Sequence, residues 1–389
     1  MAVENPRPVQ ESPQTTFDLT FFTLAHSHYN FVVERISGGH VNETARVRAT
    51  AKSHSHGDQC GQCYLGHPLA PPSTFIAKHA PSILQYPGPA ISFNPVRLLV
   101  EARALHLFEA NSASGLPKDS RLARLHHHPE ISVPIPLQYS NKAHILLQSD
   151  LGEHVGFLGW MCDTLTPPTD DKLRRTAAAL GHFLGTIHAV TYNLPRNLAD
   201  EMRRHFANAD ANRVLYERTV RPLRNLLRAC NVGECSSGSI FNTESLCDTL
   251  ETRWLEFDQG GTQAPAAFNH GDMWHANVFP LSQGTASDPS QPARGPVLAV
   301  IDWEFAGMNR VGLDLARFTA FLYLFTQSTK LSDEVKRRVK IFMNLLVESF
   351  VEKFPQISAE RKSFAMLYGL HTCNGATWHP GCDCNAGRS

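Results

Sequence analysis

Residues 269–277 read Asn269-His-Gly-Asp-Met-Trp-His-Ala-Asn277, and they follow the apolar approach Ala266-Ala-Phe268. Within this stretch Asp272 and Asn277 stand five positions apart. An aspartate that can accept a proton, followed at this spacing by an amide, is typical of the catalytic loop of a phosphoryl-transfer site. Taken alone, the stretch would also fit an ordinary surface loop.

A second stretch further along the chain reads Val297-Leu-Ala-Val-Ile-Asp302-Trp-Glu304. It predicts an apolar strand that ends in two acids. In a site of this kind Asp272 would orient and deprotonate an acceptor hydroxyl. Asn277 and Asp302 would hold magnesium ions, which need oxygen ligands. The two stretches in this order favour a phosphoryl-transfer site over a loop and an unrelated strand end.

The pattern His270-Gly-Asp-x-x-x-x-Asn277, followed by Ile301-Asp-Trp-Glu304, resembles the aminoglycoside phosphotransferase (APH) family of small-molecule kinases. Within that family it is most similar to the methylthioribose-kinase-like and hydroxytryptamine-kinase-like branch. The resemblance implies an α+β, two-lobed protein-kinase-like fold, with an antiparallel sheet and one main helix in the N-terminal lobe and a mostly helical C-terminal lobe. It also implies ATP as co-substrate, Mg²⁺, and transfer of the γ-phosphate to a hydroxyl of a small molecule.

The resemblance also suggests boundaries for the parts of the chain. We expect a flexible tail over residues 1–16, an N-terminal lobe over 17–148, a hinge over 149–152, a helical lobe over 153–378 and a second tail over 379–389.

The composition is that of a globular protein of 389 residues, 42% hydrophobic and 19% charged. Thirty-six basic and 36 acidic residues cancel, which disfavours nucleic acid and anionic membrane as partners. No apolar run approaches the roughly 20 residues that a membrane span needs, and no signal sequence begins the chain. The nine cysteines lack regular spacing. We therefore expect reduced thiols in a cytoplasmic protein, and no oligomeric state is predicted.

Gly38 and Gly39 lie between two apolar segments and predict a tight turn between strands. Glycines there allow backbone N–H groups to approach phosphate, although the same pair is common in plain hairpins. The segment also resembles the family's Gly-Gly-x-x-Asn loop, which places Asn42 beside the nucleotide.

A long loop over residues 49–73 contains Cys60 and Cys63 with several histidines nearby. A structural zinc site usually needs a second ligand pair, and the sequence offers none at a matching spacing. The segment is therefore predicted to be a solvent-exposed loop, with zinc binding as the alternative.

Residues 74–79 predict a strand that carries Lys78 near its end. Residues 95–110 predict a helix, and Glu101 lies in the middle of its apolar face. A buried carboxylate is costly unless it is paired with a cation, so we expect Glu101 to pair with Lys78 and to hold it against the ATP phosphates. Glu109 is the alternative partner.

Residues 131–136 and 144–148 predict two strands that close the small lobe, and a polar, glycine-ended segment follows them. By resemblance, the backbone groups of Ser149 and Leu151 would bind the adenine edge and Gln148 would line its inner end.

Four side chains of the predicted helical lobe have narrower expectations. His188, on the apolar stripe of a predicted helix, is expected to be a core histidine with satisfied hydrogen bonds. The resemblance places Asp314 against the backbone of the catalytic loop. Glu304 is a candidate ligand for a second metal ion, with a solvated glutamate as the alternative. Ser332 is placed to cap a helix.

The sequence does not identify the acceptor. Asp163, Asp170 and Glu304 could hold an amine, but a sugar would need similar polar groups. Trp274 and His275, inside the catalytic loop, are candidates to face the substrate. An active kinase is the main hypothesis. The sequence ends where family members usually continue into another helix, so a catalytically weak or inactive kinase-like nucleotide-binding protein is the alternative.

Overall fold

The computed structural model describes most of the chain. The described residues are 19–23, 26–36, 42–52, 73–84, 91–109, 116, 119–126, 128–225, 243–258, 265–281, 295–360, 365, 367–369 and 371–372.

A five-stranded antiparallel sheet forms the N-terminal lobe, in the order β1-β2-β3-β8-β7. Its strands are β1 (Tyr29–Ile36), β2 (Glu43–Ala51), β3 (Thr74–His79), β7 (Pro136–Ser140) and β8 (Ile145–Ser149). Side chains alternate between the two faces of the sheet, as the strand geometry requires. In β2, for example, Ala45 and Val47 are completely buried, whereas Arg48 is exposed. The inward side chains pack with Phe22 of the short helix α1 (Thr20–Thr23) into a small apolar core.

One main helix, α2 (Arg97–His106), packs against this sheet and against the turn Trp303–Phe305 of the other lobe. Leu98, Val100 and Leu105 are buried in the large core that the two lobes share. The helix therefore connects the sheet to the segment that carries Asp302.

Helices dominate the rest of the described chain. They are α3 (Phe157–Cys162), α4 (Asp170–Thr191), α5 (Arg196–His205), α6 (Ala209–Leu215), α7 (Thr243–Asp258), α8 (Leu313–Gln327) and α9 (Asp333–Lys353). Among these helices none is both long and apolar enough to cross a membrane. The sheet lobe and the helical lobe confirm the predicted α+β, kinase-like class.

Helices α4 and α9 pack side by side in the middle of the helical lobe. At Gly181 they approach so closely that an added Cβ would lie 2.5 Å from the carbonyl oxygen of Leu346.

His188 is buried on α4. Its Nδ1 lies 2.9 Å from the carbonyl oxygen of Leu184, and its Nε2 accepts from the N–H of Gly312. The prediction of a core histidine with satisfied hydrogen bonds is thus confirmed.

The start of α9 is also as predicted, because the Ser332 hydroxyl accepts from the N–H of Val335. This contact satisfies one of the N–H groups that a helix start leaves without a partner.

Short strands position the two sequence stretches that define the site. Strands β10 (Val278–Pro280) and β11 (Leu298–Val300) pair antiparallel, and β12 (Gly307–Arg310) pairs with β9 (Ala266–Asn269). A further two-stranded pair joins β4 (Ile83–Leu84) and β5 (Ile91–Ser92).

The prediction that residues 131–136 form a strand of the small lobe is wrong. Strand β6 (Ile131–Ser132) pairs in parallel with β11 in the other lobe, and the fifth strand of the large sheet begins at Pro136. A two-residue strand has no periodicity of its own, so its partner could not be inferred from its sequence.

Candidate active site

The catalytic loop leaves β9 through a turn that only glycine can make. Gly271 has a φ of +81°, and a Cβ added there would lie 2.1 Å from the carbonyl oxygen of Phe305. Because the chain turns sharply at this point, Asp272 leaves the line of the strand and enters the cleft.

Asp314, in the first turn of α8, fixes the backbone of this loop. Its two carboxylate oxygens accept from the N–H groups of His270 and Gly271, at 2.7 and 2.9 Å. Burial raises the pKa of Asp314 to about 6, although the two N–H groups act in the opposite direction. The expected contact between Asp314 and the loop backbone is present.

The imidazole of His270 connects the catalytic loop to the segment before Asp302. Its Nδ1 accepts from the N–H of Asp272, and its Nε2 donates to the carbonyl oxygen of Ile301 at 2.8 Å. Burial lowers the pKa of His270 to about 4. The ring is therefore neutral, and these two contacts fix its tautomer.

The carboxylate of Asp272 has partners on both sides. Asn277 Nδ2 donates to its Oδ2 at 3.2 Å and to its backbone oxygen at 2.9 Å, and Arg317 Nη2 lies 2.5 Å from its Oδ1. Burial raises the pKa of Asp272, while the positive charge of Arg317 and the bond from Asn277 oppose this rise. A general base works best when its pKa lies near the working pH, so the upward shift is compatible with proton acceptance.

Lys78 lies between the two carboxylates that the sequence analysis associated with it. Its Nζ is 2.7 Å from Glu101 Oε1 and 2.6 Å from Asp302 Oδ1. The predicted ion pair with Glu101 is thus present, and Glu109 is not the partner of Lys78. Burial alone would lower the pKa of Lys78, but the two carboxylates raise it. The lysine is therefore charged in the cleft.

Glu304 is completely buried, and the alternative prediction of a solvated glutamate is wrong. Its Oε2 accepts from Asn42 Nδ2 at 2.9 Å and lies 3.0 Å from Nε of Arg97, which is also buried. Burial raises the pKa of Glu304 well above its ordinary value, repulsion from Asp302 adds to the rise, and attraction to Arg97 opposes it. Asn42, predicted to lie beside the nucleotide, is therefore bonded to the acid that follows Asp302.

Together these side chains form a cluster of three carboxyl groups around Lys78 and Arg97. Carboxylate oxygens are the ligands that Mg²⁺ prefers in proteins. The side chain of Asp302 is the carboxylate of this cluster that reaches the cleft, with a quarter of its surface exposed.

The amide of Asn277 also suits a metal ion. Its Nδ2 makes both contacts to Asp272, so its Oδ1 is not used in them. Across the described ranges, no three His, Cys, Asp or Glu side chains converge as a metal site. Mg²⁺ beside phosphates needs only one or two protein oxygens, and Asp302 and Asn277 could supply them.

The predicted hinge is anchored by an arginine of the sheet. Arg46 in β2 pairs with Asp150 at 2.7 Å and donates to the carbonyl oxygen of Gly152. The N–H of Ser149 donates to Ile135, so an adenine contact at Ser149 would fall on its carbonyl oxygen. Leu151 lies between Asp150 and Gly152.

Gln148, at the end of β8, is buried, and no hydrogen bond to its Oε1 occurs within the described structure. Gly38 and Gly39 lie outside the described residues, as do Cys60 and Cys63.

Sequence analysis missed three residues of this site, namely Arg97, His270 and Arg317. His270 had a signal, because it lies inside the catalytic stretch. Arg97 and Arg317 had none, because an arginine near the start of a helix is ordinarily a solvated surface residue.

The chain was compared with known families, curated proteins and solved structures. The family model of the APH phosphotransferase enzyme family matches residues 109–339, and no curated protein matches the chain. Among solved structures, a glucosamine kinase (crystal form A) is similar over 95% of this chain and 94% of its own, with 13% identity and a TM-score of 0.39. The family match includes Asp272, Asn277 and Asp302 and begins after Lys78 and Glu101. The chain belongs to the APH phosphotransferase enzyme family.

Proposed function

We propose that the protein transfers the γ-phosphate of ATP to a hydroxyl group of a small molecule, such as a sugar, an amino alcohol or a secondary metabolite, and that Mg²⁺ is required. The observation that supports this most directly is the position of Lys78. It bonds both to Glu101, which braces it from α2, and to Asp302, the acid predicted to bind metal. This is the arrangement by which kinase folds hold ATP phosphates.

Lys78 would bind the phosphates directly. Two of the three N–H donors of an ammonium group are used by Glu101 and Asp302, which leaves one for phosphate oxygen. Because Glu101 is fully buried and cannot follow a moving partner into solvent, it holds the lysine in place.

Asp302 and Asn277 would hold Mg²⁺, and Glu304 stays a candidate for a second ion through its buried Oε1. When bound, the ion would neutralise charge on the phosphate oxygens. Arg97 and Asn42 keep the other oxygen of Glu304 in a fixed orientation.

Asp272 would act as general base. The acceptor oxygen forms a bond to the γ-phosphorus while the bond from that phosphorus to the β–γ bridging oxygen breaks, and ADP leaves. The hydroxyl proton passes to the carboxylate of Asp272. Asn277 donates to this carboxylate, and the N–H of Asp272 donates to His270 Nδ1. These two bonds hold the loop, so the base stays aligned with the acceptor oxygen.

Backbone groups of Ser149 and Leu151 would bind the adenine, with Gln148 at its inner end. The ion pair of Arg46 with Asp150 supports this contact, because it anchors the segment that runs from Ser149 to Leu151. Gly38 and Gly39 would cover the phosphates.

The test is ADP release from ATP and Mg²⁺ across a panel of sugars, amino alcohols and hydroxyindoles, with the phosphorylated product identified by mass. Asp272→Asn and excess EDTA are the controls: the substitution should strongly reduce product formation, and EDTA should abolish it. Magnesium-dependent ATP binding without turnover on any acceptor would favour the alternative of a catalytically weak or inactive nucleotide-binding protein. No magnesium-dependent binding at all would contradict the proposal.

A further inference from the structure

Arg317 lies next to the proposed base, at the place where the acceptor must bind. Its Nη2 is 2.5 Å from Asp272 Oδ1, and its Nη1 donates to the carbonyl oxygen of Gly271 at 3.2 Å. The acceptor hydroxyl must come within about 3 Å of the same carboxylate to lose its proton. The guanidinium of Arg317 therefore lies beside the acceptor.

Arg317 adds positive charge to this side of the cleft, and it is not alone in doing so. Arg218, on the π-helical turn Tyr216–Val220 after α6, also acts on Asp272 and lowers its pKa, as Arg317 does. Two arginines therefore act on the carboxylate of Asp272, and Arg317 contacts it directly.

Three buried nitrogens, one on α8 and two on other segments, have no hydrogen-bond partner in the described structure. They are Nε of Arg317, Nε1 of Trp274 and Nε2 of His371. The ring of Trp274 packs against Phe321, one helical turn after Arg317, with centroids 5.7 Å apart. His371 is 6% exposed, and burial together with the charge of Arg317 lowers its pKa to about 3.

Two of these three groups can only donate. The indole N–H and the guanidinium N–H have no acceptor function, and a neutral histidine can donate from one ring nitrogen. A buried donor without a partner destabilises the fold, so a ligand or water ordinarily satisfies such a set. The matching ligand group is one that offers several acceptor oxygens.

The carboxylates that could have held an amine have other roles. Asp163 accepts from Thr166 and Leu165 in its own turn, and Asp170 pairs with Arg337 at 3.1 Å. Glu304 is buried against Arg97. The prediction that these acids could hold an amine is therefore not supported by their surroundings.

We propose that the acceptor carries an anionic oxygen group, a carboxylate or a phosphate, close to its reacting hydroxyl, and that Arg317, Trp274 and His371 bind that group. This inference rests on the function proposed above, because it takes Asp272 as the base. The short contact between Arg317 and Asp272 requires the hydroxyl and the anionic group to be only a few bonds apart, as in a hydroxy acid or a hydroxyalkyl phosphate.

Calorimetry tests the inference without phosphate transfer. The protein with Mg²⁺ and a non-hydrolysable ATP analogue is titrated with glycerate and 3-phenyllactate, and with the amide and the amino alcohol that match each acid. Glycerol 3-phosphate is the phosphate probe, and its affinity relative to glycerate shows which anion the site takes. We expect the anions to bind on the order of ten- to a hundredfold more tightly than the matched amides.

Arg317→Gln should remove this preference, and Arg317→Lys should retain part of it because the charge remains without the planar fork. Arg337→Gln, a change at an exposed arginine paired with Asp170, should leave the preference intact. Unchanged affinity of Arg317→Gln for the ATP analogue would show that the variant is folded.

The inference is overturned if an amide or amine binds as tightly as its acid, if none of the anions binds, or if the preference survives in Arg317→Gln. Turnover of neutral sugars or amines with no anion preference would leave the proposed function standing and remove this inference alone. An anion preference without turnover would leave this inference standing and count against the proposed function.

Discussion

Gly271→Ala is expected to damage both the fold and the catalytic loop. The new methyl group would lie 2.1 Å from the carbonyl oxygen of Phe305 and 2.9 Å from its carbonyl carbon. An L-residue at φ of +81° costs about 1–2 kcal/mol. Relief of the overlap by shifts of the packed backbone adds about 1–3 kcal/mol. We therefore expect a loss of about 2–5 kcal/mol in the free energy of unfolding.

Gly307→Ala is the matched control, because it introduces the same methyl group on the neighbouring strand β12. There the nearest atom, the carbonyl oxygen of Phe206, is 3.4 Å away and the φ is not positive. Its cost should stay within about 1 kcal/mol. Urea unfolding with an unchanged m value measures both variants. If Gly271→Ala unfolds at the same urea concentration as Gly307→Ala and keeps its turnover, the steric argument for this loop is wrong.

The remaining predictions concern Asp272 and Asp314. Asp272→Asn should lower kcat by about two to four orders of magnitude with little change in ATP affinity, and near-full activity would remove Asp272 from the mechanism. Because burial raises the pKa of Asp272, kcat should fall with decreasing pH at a pH above the ordinary aspartate value of about 3.9. Arg317→Gln removes a charge that lowers this pKa, so it should move the fall in kcat to higher pH. An unmoved pH profile would contradict the contact between Arg317 and Asp272. Asp314→Asn should cost about 1–3 kcal/mol in urea unfolding, because one N–H of His270 or Gly271 then faces an amide nitrogen. Since the folded pKa of Asp314 is about 6, wild type should lose stability relative to this variant as the pH rises from about 4 to about 6, and a constant difference would argue against the raised pKa.

Much of the site could be predicted because its groups belong to local patterns. Asp272 and Asn277 lie within one loop, and the structure joins their side chains directly. Glu101 could be assigned to Lys78 because a carboxylate on the apolar face of a helix needs a cation, and the two groups are 2.7 Å apart. In each case burial leaves few possible partners, so the chemistry of one residue identifies the other.

The remainder depends on contacts between distant segments that carry no local signal. Arg97 pairs with Glu304 across the two lobes, and neither position shows that the other is near. Arg317 reaches Asp272 only because Asp314, three residues earlier on the same helix, binds the catalytic loop. The pairing of β6 with the strand before Asp302 likewise follows from packing rather than from sequence pattern.

The most direct test of the proposed kinase site is calorimetry of ATP binding, with Mg²⁺ and with EDTA, to three variants. Asp302→Asn removes the charge that attracts the ion, so it should abolish turnover and weaken binding of ATP only when Mg²⁺ is present. Lys78→Met should weaken binding under both conditions, because its contact is with phosphate. Asp272→Asn should bind ATP as tightly as wild type with Mg²⁺ and with EDTA. This variant therefore separates a loss of turnover from a loss of ATP binding. If Asp302→Asn binds ATP with Mg²⁺ as tightly as wild type does, the site is not the magnesium-dependent kinase site proposed for it.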